Sequence, residues 1–327
     1  MEPLSLEGFA ARAAEFDQWV RRCPDIDTFC SSSDWILPAA AELMPPREPF
    51  LWRGPSGWVA MMRGTHHQGW RYLEPLEASW GLACPLIGTD PEAIAADFAQ
   101  LVRRTESEWD VLLLSGVPSS SRLRAQLDRR LGAHYDLTQQ SSTQRHVADL
   151  RGGVDGFLSR RTRNFRRSLQ RSRRRAQQAG IDFEPVRPID GAAADALFER
   201  TLAIERCSWK GRAGLGIDTP GFGDFYRSML RRLALRGALR ARVARQDGRD
   251  VGFVLGGVLD RGYRGLQMSY DERLRPVGLG NLLQWEEIAD LCAEGFDSYD
   301  LGTGLEYKLR WAEATLSSDV LIVLKVS

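Results

Sequence analysis

Residues 266–280 read LQMSYDERLRPVGLG, and residues 281–292 continue NLLQWEEIADLC. The stretch opens as a strand, with Leu266, Met268 and Tyr270 on one face by the two-residue period. It then enters a turn that carries Arg275, Gly278 and Gly280 in the order R-x-x-G-x-G. An amphipathic helix follows at once. Leu282, Leu283, Ile288 and Leu291 face inward, and Glu286, Glu287 and Asp290 face outward. This order of strand, glycine turn and helix suits a pyrophosphate. The first N–H groups of a helix lack internal partners and carry the positive end of its dipole. Glycine removes the Cβ atoms that would hold a phosphate away from the backbone.

Working outward, the same half of the chain predicts strands over 239–244, 251–259 and 263–270, with a helix over 282–293 stopped by Gly295. Strands at 298–301 and 316–326 finish the chain. Upstream lie a long arginine-rich helix over 157–179, ended by Gly180, and a strand over 181–186. Two helices over 191–207 and 222–235 flank a glycine-rich loop at 210–216. In the other half, residues 1–45 read as mostly helical, with amphipathic stretches at 9–20 and 35–43 ended by Pro45, Pro46 and Pro49. Strands follow at 58–63 and 70–76, joined by a loop with His66 and His67. A helix over 91–105 is capped by Asp90 with Pro91 in its first turn. A strand over 111–114 and a helix from Ser119–Ser121 to Gly132 complete this half. Both halves repeat one α/β order, so two domains are expected, 1–146 and 147–327.

Composition agrees with two packed cores: the chain has 327 residues, 43% of them apolar. A formal net charge of +1 selects no partner class. Cys23, Cys30, Cys84, Cys207 and Cys292 are scattered and odd in number, which argues for reduced thiols in a cytoplasm and against a disulfide framework or zinc site. The N-terminus, with Glu2 and Glu7, lacks a signal pattern. Apolar runs such as 111–114 and 253–255 are far too short to span a bilayer, so no membrane insertion is expected.

The R-x-x-G-x-G turn between a strand and a helix resembles the pyrophosphate loop of the GNAT superfamily of acyltransferases. Three further pieces are similar to the GNAT subgroup related to Fem peptidyltransferases and CelD-type exopolysaccharide proteins: LSRRTRNFRRSLQRSRRRAQQAG at 158–180, IERCSWKGRAG at 204–214 and LGTGLEYKLRWA at 301–312. The first half carries no comparable loop; the position before its helix reads CPLIGTDPEAI, 84–94. The resemblance implies two GNAT-like domains in tandem, with mixed, mostly antiparallel sheets flanked by helices. The second would bind the cofactor and the first would lack its loop. It implies direct transfer, in which an amine attacks the carbonyl of an acyl thioester, acyl-CoA or an acyl-carrier protein, and the thiol leaves. No metal is required. The acceptor is an amine of a small molecule, amino sugar or peptide. A Fem-type transferase fed by aminoacyl-tRNA and a non-catalytic module of the same fold are the alternatives.

Direct transfer needs a base, an oxyanion donor and a proton for the leaving thiolate. Glu205, at a helix end beside Ser208–Gly211, is the first candidate base; Asp271, just past the central strand, is the second. Tyr307 is the candidate acid. Arg275, Val277, Gly278, Leu279, Gly280 and Asn281 form the expected CoA loop. Trp209, Lys210 and Lys308 are candidate acceptor contacts, and Trp311 is a possible pocket wall. Nine arginines between Arg160 and Arg175, with no acid among them, offer a face for tRNA, a carrier protein or CoA phosphates. Cys207 has no neighbouring histidine to activate it, and His66-His67 lack further ligand spacing.

Overall fold

The computed structural model of the chain describes residues 1–23, 25–43, 46–214, 216–304 and 306–326. Pro45, expected to help end the first helical region, lies outside them, as do Leu215 and Leu305 of the loops quoted above. The chain forms two compact units, Met1–Gln144 with Leu316–Ser327, and Arg145–Thr315.

The first unit begins with β1 (Glu2–Leu4), α1 (Leu6–Ala11), α2 (Ala13–Arg22) and α3 (Ser33–Glu42). An antiparallel meander follows, β2 (Glu48–Gly54), β3 (Gly57–Thr65) and β4 (Arg71–Pro75), with β5 (Leu86–Ile87) on β3. Next comes α4 (Pro91–Arg104), whose Ile94, Phe98, Leu101 and Val102 are buried. Then β6 (Val111–Pro118) lies parallel to β4, followed by α5 (Arg122–Leu131) and β7 (Tyr135–Asp149). Phe9, Phe16 and Trp58 meet edge to face at 4.8–5.8 Å and anchor the helices to β3.

The second unit repeats that central order. It opens with α6 (Gly153–Ser159), α7 (Arg163–Gln178), β8 (Ile181–Val186), α8 (Gly191–Arg206), α9 (Trp209–Arg212) and α10 (Phe222–Leu235). A meander of β9 (Leu239–Gln246), β10 (Arg249–Leu259) and β11 (Gly262–Tyr270) follows. Then α11 (Leu279–Ala293) leads to β12 (Ser298–Thr303), which is parallel to β11. Leu279, Leu282, Leu283, Ile288 and Leu291 of α11 pack with Leu169 and Ala176 of α7, Phe157, Val254 and Tyr299. The end of β7 pairs antiparallel with β12. The last strand, β13 (Ala314–Lys325), pairs antiparallel with β6 and counts with the first unit. The sequence reading had it closing the second half.

Two features of the second unit position the site. The β11–β12 ladder runs only from Gly262–Arg264 against Ser298–Asp300, so the two strands part beyond it. On β11 the register steps from Gly265, opposite Gly256, to Gln267, opposite Leu255. Leu266 is therefore the extra residue of a β-bulge, a device that bends a strand and re-aims its side chains.

The structure also revises three expectations. The arginine-rich helix is two helices, α6 and α7. Arg161 turns inward over the Phe157 ring at 4.1 Å and donates to the Trp311 carbonyl at 2.5 Å, while Thr162 Oγ1 caps α7. The loop at 210–216 begins as the short helix α9, started by Ser208 Oγ accepting the Gly211 N–H. The long strand β7 was not anticipated: Gln139–Gln144 present polar side chains to both sides and leave no apolar alternation to read.

Candidate functional site

Where β11 and β12 part, a cleft of about 390 Å³ opens in the second unit. The alternation of β11 assigns its walls. Met268 and Tyr270 pack together against the core on the α11 side, whereas Leu266, expected on the same face, is the residue of the bulge. Gln267 and Ser269 turn the opposite way, toward α8 and α10. Gln267 Nε2 donates to Tyr226 Oη at 2.8 Å, and Ser269 Oγ donates to Glu205 Oε1 at 3.0 Å.

Glu205 thus lies beneath the cleft, 2% exposed, and reaches it through Ser269, which lines it. Its other oxygen accepts the Ile217 N–H at 2.6 Å. Lys210 lines the cleft and donates to Gln267 Oε1 at 3.0 Å and to the Met268 carbonyl at 3.1 Å. Burial lowers its pKa and the Glu205 charge opposes that shift. Trp209 stands at the cleft rim, 53% exposed.

On the β12 side, Tyr307 and Lys308 come from a 3-10 turn, Glu306–Arg310. Burial raises the Tyr307 phenol above its usual value, with Arg310 pulling it down. Lys308 Nζ donates to the Thr303 carbonyl at 2.7 Å. Burial, then the charge of Arg264, brings Lys308 down to about 8; Asp300 opposes this and Lys210 adds to it.

The glycine turn forms the far end. Gly278 is in the left-handed region, φ 80°, and α11 starts from it with no side-chain cap. Arg275, Gly278, Gly280 and Asn281 all line the cleft, and Arg310 Nη2 donates to Asn281 Oδ1 at 2.9 Å. Val277 and Leu279 pack into the core, so only their backbone can meet a ligand. Gly280 serves packing first. A Cβ there would come within 2.8 Å of the Tyr270 ring, so glycine lets α11 approach β11. Gln284, 4% exposed, lines the same end, and its Nε2 has no hydrogen-bond partner among the described residues.

Asp271 is not part of this assembly. It starts the 3-10 turn Glu272–Val277, and its carboxylate accepts from Arg273 Nε at 3.0 Å and Nη2 at 2.5 Å. That ion pair lowers its pKa, and the residue does not line the cleft. Trp311 is core, 1% exposed, against Phe157 and Phe165. Cys207 is exposed at the end of α8. His66 stacks on Trp70 in the first unit. Among the described residues no three His, Cys, Asp or Glu are grouped to hold a metal, and no helix is long and apolar enough to cross a membrane.

Sequence reading missed Gln267, Ser269, Gln284 and Arg310. The first two sit inside the quoted strand, on its face opposite Met268 and Tyr270, and that alternation was the available signal.

Residues 163–309 match the family described as the acetyltransferase (GNAT) domain. Over the whole chain the fold is that of several solved structures. A conserved protein of unknown function from Bacteroides thetaiotaomicron aligns at 13% identity and a TM-score of 0.63, covering 96% of this chain and 97% of its own. FemX aligns at 12% identity and 0.63, covering 98% and 97%. L-PGS from Bacillus licheniformis aligns at 12% and 0.52, covering 95% and 91%. No curated protein matches the chain in sequence.

Proposed function

We propose that this chain, an α/β protein of two GNAT-like units whose residues 163–309 form a GNAT-fold domain, is an N-acyltransferase. It moves an acyl group from acyl-CoA or an acyl-carrier protein to an amine of a small molecule, amino sugar or peptide. One observation carries the reading: the uncapped start of α11 faces a cleft lined by Arg275, Arg310 and Asn281. The backbone N–H groups there, with two guanidinium groups, suit phosphate oxygens. The partnerless Nε2 of Gln284 is a buried donor that costs free energy until an acceptor arrives. A pantetheine carbonyl or phosphate oxygen is such an acceptor, so the residues fit the donor.

In this reading the amine attacks the thioester carbonyl directly. Glu205 acts as the base through Ser269: the amine proton passes to Ser269 Oγ while the Ser269 proton passes to Glu205 Oε1, 3.0 Å away. The Ile217 N–H fixes the carboxylate. Tyr307, kept protonated by burial, supplies the proton for the leaving thiolate. Lys210 and Lys308 serve the acceptor, and Trp209 covers the rim. Five unbonded cysteines suit work in a reducing cytoplasm. The first unit carries no cofactor in this scheme.

The test is release of free thiol from a panel of acyl thioesters with amine acceptors. Glu205→Gln is expected to lose about 10²-fold in turnover with thioester affinity unchanged. A wild-type rate in that variant removes Glu205 from the mechanism. Absence of turnover with every thioester leaves a transferase fed by aminoacyl-tRNA or a non-catalytic module.

A second reading rests on α7. Arg163, Arg167, Arg171 and Arg174 are exposed and form no ion pair among the described residues. That face suits the backbone of an aminoacyl-tRNA donor. Transfer seen only with charged tRNA, and lost on ribonuclease treatment, would replace the thioester reading with this one.

A further inference from the structure

The cleft has a charge pattern of its own. Lys210, Arg275, Lys308 and Arg310 line it, and among the described residues no aspartate or glutamate does. The cations divide by position. Arg275 and Arg310 belong to the glycine-turn end. Lys210 comes from α9 and Lys308 from the turn after β12, and both line the cleft with Gln267 and Ser269.

Both lysines line the one cleft, and the charge of Lys210 adds to the lowering of Lys308. The nearest acids are committed elsewhere. Asp300 takes Arg145 and, at 2.8 Å, Arg264 Nη1, and its other oxygen caps the Gly302 N–H. Glu205 is held by Ser269 and the Ile217 N–H. Glu272 pairs with Arg212 at 2.6 Å, and Glu306 is exposed and outside the lining. Lys210 and Lys308 therefore have only neutral oxygens as partners, from Gln267, Met268 and Thr303. Two half-buried cations without an anionic hydrogen-bond partner in one cleft are unfavourable alone and are relieved by an anion.

We infer that Lys210 and Lys308 form an oxyanion subsite for the acceptor, so that the amine to be acylated carries a carboxylate or phosphate a few bonds away. The inference rests on the transferase reading for the identity of that amine, but the subsite stands on its own geometry. It separates the two substrates by charge: donor phosphate on the arginine end, acceptor anion on the lysines, with Ser269 of the same cleft to take the amine proton.

The experiment exploits the rarity of lysine. Lys210, Lys308 and Lys325 are the only three in the chain, so protein labelled with [ε-¹³C]lysine gives three side-chain signals. Lys325 is the internal control, and single Lys→Met variants assign each signal. Four probes are titrated at constant ionic strength: N-acetylglycine, inorganic phosphate, neutral N-acetylglycinamide and coenzyme A, the last also by calorimetry. The expected result is saturable movement of the Lys210 and Lys308 signals with N-acetylglycine or phosphate, at least tenfold weaker with the amide, and no movement of Lys325. Loss of either lysine should weaken anion binding about tenfold or more. Response to phosphate alone or to the carboxylate alone assigns the anion's source. No response to either, equal response to the amide, or equal movement of Lys325 overturns the subsite. Coenzyme A binding without an anion response sinks this inference and spares the donor reading; the reverse spares the subsite and sinks the donor reading.

Discussion

Two helices start at matching places in the two units, each between a meander and a strand parallel to that meander's last member, and their first turns are built in opposite ways. In the first unit, Asp90 Oδ1 accepts the Glu92 and Ala93 N–H groups at 2.9 and 3.4 Å, and Pro91 occupies the first turn without a donor. The helix supplies its own anion. In the second unit, α11 begins at Gly278 with no side-chain cap, among Arg275, Asn281 and Arg310. One topology is thus closed by a carboxylate in one copy and left open to an external anion in the other. The lesson is that a helix start becomes a binding site through what is missing from it as much as through what is present.

The sharpest way to break this contrast is to give the second helix an acid of its own. Asn281→Asp is isosteric and places a carboxylate in the first turn, where Arg310 already donates. We expect coenzyme A affinity to fall about 10²-fold, the scale of about 3 kcal/mol of like-charge repulsion at partly screened range. Thermal stability should hold or rise slightly, because an acid favours a helix N-terminus by roughly 0.3–1 kcal/mol. Calorimetry and a melting curve on the same sample read both. Unchanged affinity would place the donor elsewhere.

The units also differ in their buried carboxylates. Glu77 in the first unit is fully buried and accepts the backbone N–H groups of Trp80, Leu82 and Ala83. Glu205 in the second unit is equally buried, but one of its partners is a hydroxyl that lines a cleft. The first arrangement holds a loop; the second can pass a proton. Ser269→Ala should therefore reproduce most of the roughly 10²-fold turnover loss expected of Glu205→Gln, with thioester affinity kept. Glu77→Gln should leave turnover alone and cost about 2 kcal/mol of stability, since one oxygen's acceptor role becomes a misplaced donor. A turnover loss in Glu77→Gln matching that of Glu205→Gln would erase the distinction.

Much of this contrast was legible before any coordinates. Asp90 and Pro91 announce a closed helix start, and Gly278 with Gly280 announces an open one. The two-residue period put Met268 and Tyr270 on one face, as found, but it also counted Leu266, which the bulge takes out of the alternation. What was hidden depends on partners far along the chain. Ser269 gains its meaning from Glu205, 64 residues away, and Gln267 from Tyr226 and Lys210. Asp271 stood as the second candidate base after Glu205, and nothing local in the sequence shows that Arg273 occupies its carboxylate. The break between α6 and α7 was invisible because Arg161 is as polar as its neighbours, and the partners that turn it inward, Phe157, the Trp311 carbonyl and Glu313, are not its sequence neighbours. Membership of the last strand in the first unit is a matter of topology, and no local pattern encodes it.

The smallest effect tests the closed half of the comparison. Asp90→Ala removes the cap of α4 and leaves the N–H groups of Glu92 and Ala93 to water, since Glu92 is exposed. Caps of this kind contribute about 1 kcal/mol. Ile94, Phe98, Leu101 and Val102 continue to anchor the helix, so it should fray at its first turn and remain docked. The expected outcome is a loss of about 1 kcal/mol in denaturant unfolding, faster amide exchange confined to 91–95, and unaltered turnover and coenzyme A affinity. Unmasking this helix start should not create a second anion site, because Glu92 in the same turn is itself acidic and already takes the nearby Arg129 and Arg130, whose Nη2 groups donate to its Oε1 at 3.2 and 3.1 Å. Two molecules of coenzyme A bound per chain in the variant, against one in the wild type, would show that the Asp90 cap alone closed the first unit and that Glu92 does not.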